Sequence, residues 1–199
     1  MRFIAFLVAA FAVSAPAAAQ TWQEYNYPEF GFSVSFPIAP QIERTTYPVA
    51  DGRSVPARIY SVRQNNALFE VTVADLANSG LAEKTIIEHA VKLAAQGGEV
   101  KVDFPHRISQ VYGRQLSVLG ADGSRSTMAV FDTNGRLYQI EAKIPPGGND
   151  TDLIRFQQSL IFAPSLANRS EDAVRGIREA CHGLVNNPAG LYDPRCVRK

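Results

Sequence analysis

Three histidines, two cysteines and a scatter of carboxylates are the side chains of this sequence that could do chemistry. The histidines are far apart. His89 neighbours Glu88 and Lys92, His106 follows Pro105, and His182 adjoins Cys181. A metal ion needs three or four converging ligands, and neither H-E-x-x-H nor a paired C-x-x-C occurs. No metal and no cofactor is expected. Acid–base chemistry needs two carboxylates, or a carboxylate and a histidine, held together. Asp75, Asp103, Asp132 and Glu141 read instead as residues at strand ends or on solvated faces. An enzyme would need His106 to meet Asp103 or Glu141 in space. No G-x-S-x-G elbow and no S-x-x-K pattern supplies a nucleophile. Gly120-Ala121-Asp122-Gly123 lacks the Lys-Ser/Thr of a phosphate loop and reads as a hairpin. The expectation is a protein that is not an enzyme.

The cysteines, Cys181 and Cys196, are separated by fourteen residues, so they form no C-x-x-C redox motif. Their meaning depends on the compartment, which the first residues indicate. Met1-Arg2 is a short positive start, residues 3–13 are almost wholly apolar, and Ala17-Ala18-Ala19 offers small residues to a peptidase. That is the tripartite secretory signal. The apolar stretch falls short of the roughly 20 residues a membrane span needs. Cleavage is expected between Ala19 and Gln20, giving an exported, periplasmic or secreted protein. In an oxidising compartment the two cysteines are expected to form a structural disulfide.

About 180 residues follow the signal, enough for one domain with a sizeable core. The chain carries 20 basic and 19 acidic side chains, and loss of Arg2 leaves 19 of each. A balanced chain has no net field to attract nucleic acid or anionic lipid. Nucleic acid is therefore not an expected partner.

The elements that must position these residues are mostly strands. Phe32, Val34 and Phe36 alternate with Ser33 and Ser35, the period of a half-buried strand. Further strands are expected over 42–47, 55–62, 68–74, 100–104, 107–112, 114–119, 124–132 and 136–144. Asp51-Gly52, Asn65-Asn66, Asp122-Gly123 and Asn134-Gly135 mark the tight turns between them. Hairpins imply antiparallel pairing, which excludes a doubly wound nucleotide-binding sheet.

Two stretches change period. Ile86, Ile87, Ala90, Val91 and Ala94 make one stripe of a helix over 83–96, stopped by Gly97-Gly98. A second short helix starts after Asn149, a good N-cap, with Asp150 and Asp152 in its first turn. Ile154 and Phe156 are expected to face the core. Residues 160–162 read as a brief return to the sheet. Residues 165–199 read as an appendage. Val174, Ile177, Cys181, Leu184 and Val185 form a helical stripe there, and a Cys181–Cys196 bond would fold the tail over it. A loop of that size restricts the unfolded chain by roughly 3 kcal/mol. The expected fold class is α+β, with a signal over 1–19, a domain over 20–164 and a disulfide-stapled helical appendage over 165–199.

Two segments carry a resemblance. Tyr27-Pro28-Glu29-Phe30-Gly31-Phe32-Ser33-Val34-Ser35-Phe36-Pro37 resembles the start of small bacterial envelope proteins with the PsbP-like fold. Gly135-Arg136-Leu137-Tyr138 through Glu141-Ala142 to Phe156, Ser159, Leu160 and Phe162 resembles the end of that domain. The resemblance covers about 22–162. It implies a central antiparallel sheet flanked by helices and a non-enzymatic role. PsbP proteins assist a photosynthetic membrane complex, and the related Mog proteins bind a small GTPase. No residue motif here matches either partner surface. Trp22, Tyr25, Tyr27 and Phe30 cluster before the first expected strand. They either pin the N-terminal segment to the sheet or form an aromatic patch for a partner. The functional expectation is an exported binding or accessory protein that contacts another envelope protein. A small-ligand carrier, using a concave face between sheet and helix, is the alternative.

Overall fold

The computed structural model describes residues 22–162. The expected signal with its Ala19–Gln20 cleavage, the appendage, the Cys181–Cys196 disulfide and His182 lie outside those residues. Among the described residues the chain forms ten strands and two helices. In order they are β1 (Gln23–Tyr27), β2 (Phe32–Phe36), β3 (Gln41–Pro48), β4 (Ser54–Gln64), β5 (Ala67–Asp75), α1 (Glu83–Ala95), β6 (Glu99–Ile108), β7 (Val111–Leu119), β8 (Arg125–Thr133), β9 (Arg136–Ile144), α2 (Asp150–Gln158) and β10 (Ile161–Phe162). No helix among them is long and apolar enough to cross a membrane.

Seven strands form one sheet in the order β3-β4-β5-β9-β8-β7-β6, and β1, β2 and β10 form a second sheet in the order β1-β2-β10. Every pairing is antiparallel. The topology follows from the turns. Asn65 and Asn66 both take positive φ, at 50° and 61°, and so do Asn134 and Gly135, at 54° and 70°. Two successive positive φ angles make the turn whose twist matches a hairpin. After β5 the chain leaves the sheet as α1, re-enters at the far edge as β6, and returns strand by strand until β9 closes on β5.

The two faces of the large sheet bury different things. One face is covered by the small sheet and α2. Its core joins Phe32, Val34 and Phe36 of β2 to Tyr60, Phe69, Val71, Tyr138, Ile140, Phe156 and Leu160. The other face lies under α1, where Ile86, Ile87 and Ala90 meet Met128, Val130, Leu137, Ala74 and Tyr47. Alternation along β9 serves both faces. Tyr138, Ile140, Ala142 and Ile144 are buried, while Gln139, Glu141 and Lys143 are half-buried on the opposite side.

Four local expectations need correction. The aromatic segment before the first expected strand is itself a strand, β1, paired along its length with β2. The single sheet is in fact two. The expected strand over 107–112 is divided between β6 and β7 by the turn at Ser109 (φ 56°), and the expected strand over 100–104 runs on through Pro105 and His106 to Ile108 as one strand, β6. Proline is tolerated there because β6 is an edge strand. Finally, Ile154 is 50% exposed, and Leu153, Phe156 and Gln157 are the buried face of α2. Residues two apart on a helix point in nearly opposite directions, so Ile154 and Phe156 cannot share a face.

Candidate functional site

Three arginines meet at the end of the sheet beside the β1–β2 turn. Arg58 on β4 stands directly opposite Arg44 on β3, and Arg136 on β9 stands opposite Asp75 on β5. Like charges directly opposite in a ladder repel, so such a pair is not selected for stability. The turn supplies the wall. The N–H groups of Phe30 and Gly31 both donate to the carbonyl of Tyr27, at 3.0 and 2.9 Å. Gly31 takes φ +71°, which L side chains adopt only with strain. The hydroxyl of Tyr138 donates to the carbonyl of Phe30 at 2.6 Å and ties the turn to the sheet. The Phe30 ring then lies between two guanidiniums. Arg58 Cζ is 4.5 Å from its centroid and Arg136 Cζ is 5.3 Å from it. Both distances are within cation–π range.

The result is an open groove of about 400 Å³, lined by the three arginines with Phe30, Thr45, Pro56 and Asp75 among others. Arg58 also pairs with Glu29 at 2.7 Å. Arg44 is exposed and makes no ion pair with any described residue. The nearby tyrosines add no negative charge. Burial, then the neighbouring Tyr60 and Tyr25, pushes Tyr27 up to about 12. Burial also raises Tyr60 and Tyr138, against the pull of Arg58 and Arg136 respectively. Their hydroxyls therefore stay neutral at physiological pH. Three guanidiniums face two carboxylates, and planar guanidinium forks suit a carboxylate or another oxyanion. The groove can bind an anion.

Of the aromatic four, only Phe30 lines this groove. Trp22 packs edge-on against Phe69 at 5.2 Å and lies 6.3 Å from Phe156, with Arg155 over its ring at 5.5 Å. Tyr25 meets Phe36 at 6.1 Å, and Tyr27 stacks near Tyr60 at 4.3 Å. All four are half-buried against the main core.

His106, Asp103 and Glu141, the residues named for an acid–base site, do not converge. Asp103 and His106 are three apart on β6, so their side chains leave opposite faces of the strand. Asp103 is bound to Arg114 through both carboxylate oxygens. Glu141 lies on β9, with β8 and β7 between it and β6. The His106 ring packs near Phe131 at 5.7 Å, and burial lowers its pKa. His89 is half-buried, its Nε2 3.2 Å from the carbonyl of Pro48. The described residues hold no group of three or more His, Cys, Asp or Glu that could bind a metal ion.

The sheet does pair two carboxylates that sequence reading did not join, Glu70 and Glu141, directly opposite across β5 and β9. Burial raises both. For Glu141 the neighbouring Glu70 adds to the effect, and hydrogen bonding from Ser126 opposes it. The arginines were missed as well. A signal existed: Arg58 has the parity of buried Tyr60 and Val62, and Arg136 that of buried Tyr138 and Ile140. A strand places such an arginine on its inward face, but only the register across four strands brings the three together.

No family model matches the chain, and no curated protein matches it in sequence. It is similar to the solution structure of cyanobacterial PsbP (CyanoP) from Synechocystis sp. PCC 6803. The two share 13% identity at a TM-score of 0.48, over 76% of this chain and 98% of that one. The resemblance read from the two end segments and this match name the same fold. No argument is drawn from a likeness of that degree.

Proposed function

We propose that the protein is a non-enzymatic binding module of the cell envelope, and that the Arg44–Arg58–Arg136 groove seats an acidic segment of a protein partner. One observation carries this reading: two guanidiniums are held against Phe30 while a third, Arg44, stands opposite Arg58 without a carboxylate of its own. An arrangement that costs folding stability is explained by what it holds. Phe30 supplies the aromatic anchor, and the arginines supply bidentate donors; Arg and aromatic residues dominate binding energy at protein interfaces. The secretory signal pattern read over residues 1–19 supports the envelope as the compartment.

The test is native mass spectrometry of the protein purified gently from its own envelope. Wild-type protein should carry added mass in the protein range. Arg44→Glu should lose that mass without a fall in melting temperature, because Arg44 is exposed and the change replaces a like-charge pair with an opposite-charge one. Raised salt should weaken the complex, since the contacts are partly solvated. A wild-type protein that carries nothing, or an Arg44→Glu variant that retains the partner, contradicts the reading.

A further inference from the structure

The cleft between α2 and the β6–β7 hairpin holds a buried donor with no use inside the fold. Gln157 lies on the inner face of α2 and is only 7% exposed. Its Oε1 accepts from Gln115 Nε2 at 3.2 Å. That bond orients the amide, and Gln157 Nε2 is left buried without a hydrogen-bond partner. Buried unpaired N–H groups are rare, because the group gives up water and gains nothing. Here the same side chain lines a cleft of about 500 Å³, with Ile108, Ile154 and Leu160 as its apolar wall and His106 and Gln115 beside them. A space of that size suits a small organic molecule.

The charges of the cleft narrow the ligand. Arg107 also lines it, but its guanidinium is turned to Tyr112, 5.6 Å above the ring, with Nη1 donating to the hydroxyl at 3.4 Å. Burial keeps His106 neutral at physiological pH. The one fixed positive charge in the lining, Arg107, is turned to Tyr112, so a carboxylate set on Gln157 Nε2 would be desolvated without a paired cation, which is costly. An apolar molecule without an acceptor would leave the Gln157 donor unpaired.

We propose that this cleft binds a small neutral molecule bearing a carbonyl or amide oxygen on an apolar body. The oxygen accepts from Gln157 Nε2, and the body packs on Ile108, Ile154 and Leu160. The site is separate from the arginine groove and stands whether or not that groove has a partner.

Three probes test it by ¹H–¹⁵N NMR on the protein: N-methylbenzamide, benzoate and toluene. N-methylbenzamide should shift the side-chain amide signals of Gln157 and Gln115 saturably, with an affinity of about millimolar. Benzoate and toluene should bind about tenfold more weakly. Gln157→Leu should reduce N-methylbenzamide to the level of toluene with little change in melting temperature, since removal of the unpaired Nε2 donor offsets loss of the bond from Gln115. Should that variant not fold, Ile154→Asp serves instead. It alters an exposed position, and it should weaken N-methylbenzamide and toluene together while the fold persists. Absence of any saturable shift at the cleft overturns the proposal. So does preferred binding of benzoate, an unchanged affinity in Gln157→Leu, or an unchanged affinity in Ile154→Asp.

Discussion

Glu70 and Glu141 show how the register of a sheet reaches a single titration. They stand opposite each other on a half-buried face, and both carboxyls are raised by burial. A carboxyl whose folded pKa exceeds its unfolded value binds its proton more tightly in the folded state. The contribution to stability is therefore greatest below the ordinary carboxylate range. It falls as pH rises from about 4 through the raised folded values, and it remains lost at neutral pH. Glu141→Gln should stabilise the protein at neutral pH by roughly 0.5–1 kcal/mol, the scale of a cross-strand like-charge pair. Thermal melts between mildly acidic and neutral pH check this, and the variant's curve should also be flatter. A lower melting temperature at neutral pH would show that the pair is held by something these contacts omit. Glu141 was weighed only as a partner for His106 and Glu70 not at all, because each reads in sequence as the polar half of an alternating strand. Only the pairing of β5 with β9 makes them a couple.

At the scale of elements, the local signals and the edges account for most of what was legible. Asn149 caps α2 as its position predicts, its Oδ1 accepting from the Thr151 N–H at 3.0 Å. Asn149→Ala should cost about 1 kcal/mol, read as a lower denaturation midpoint with an unchanged m-value. The double-asparagine and Asn-Gly turns were legible because their backbone angles restrict them to few residues. Pro105 misled because proline's effect depends on whether the strand is central or at an edge, which is a tertiary fact. The β6 edge is also guarded by a register shift between Val100 and Val102 and by the Lys101–Glu99 ion pair at 2.6 Å, both of which discourage further pairing. Gly113 was silent in sequence. On β7 it faces Phe131, and an added Cβ would meet the Val130 carbonyl at 2.0 Å and the Phe131 ring at 2.6 Å. Gly113→Ala should therefore destabilise by about 1–3 kcal/mol, as overpacking does. Chemical denaturation measures it, and a neutral result would mean that β7 and β8 sit further apart than described.

For the whole molecule, the α1 excursion from the middle of the sheet to its far edge gives the protein two differently covered faces. α1 shields one. The small sheet and α2 shield the other, leaving the arginine groove at one end and the amide-lined cleft beside β6. The antiparallel α+β class and its hairpins were readable from periodicity and turns. The groove was not, since its arginines are scattered over three strands, and their convergence needs the complete strand order. The central claim is that this groove seats an acidic partner segment. Site-specific photo-crosslinking in the living envelope tests it most directly, with the crosslinker at Thr45 in the groove and, as control, at exposed Lys84 on α1. The account predicts one protein adduct from Thr45, none from Lys84, and a crosslinked peptide rich in aspartate and glutamate. No adduct from Thr45, or the same adduct from both positions, would contradict it.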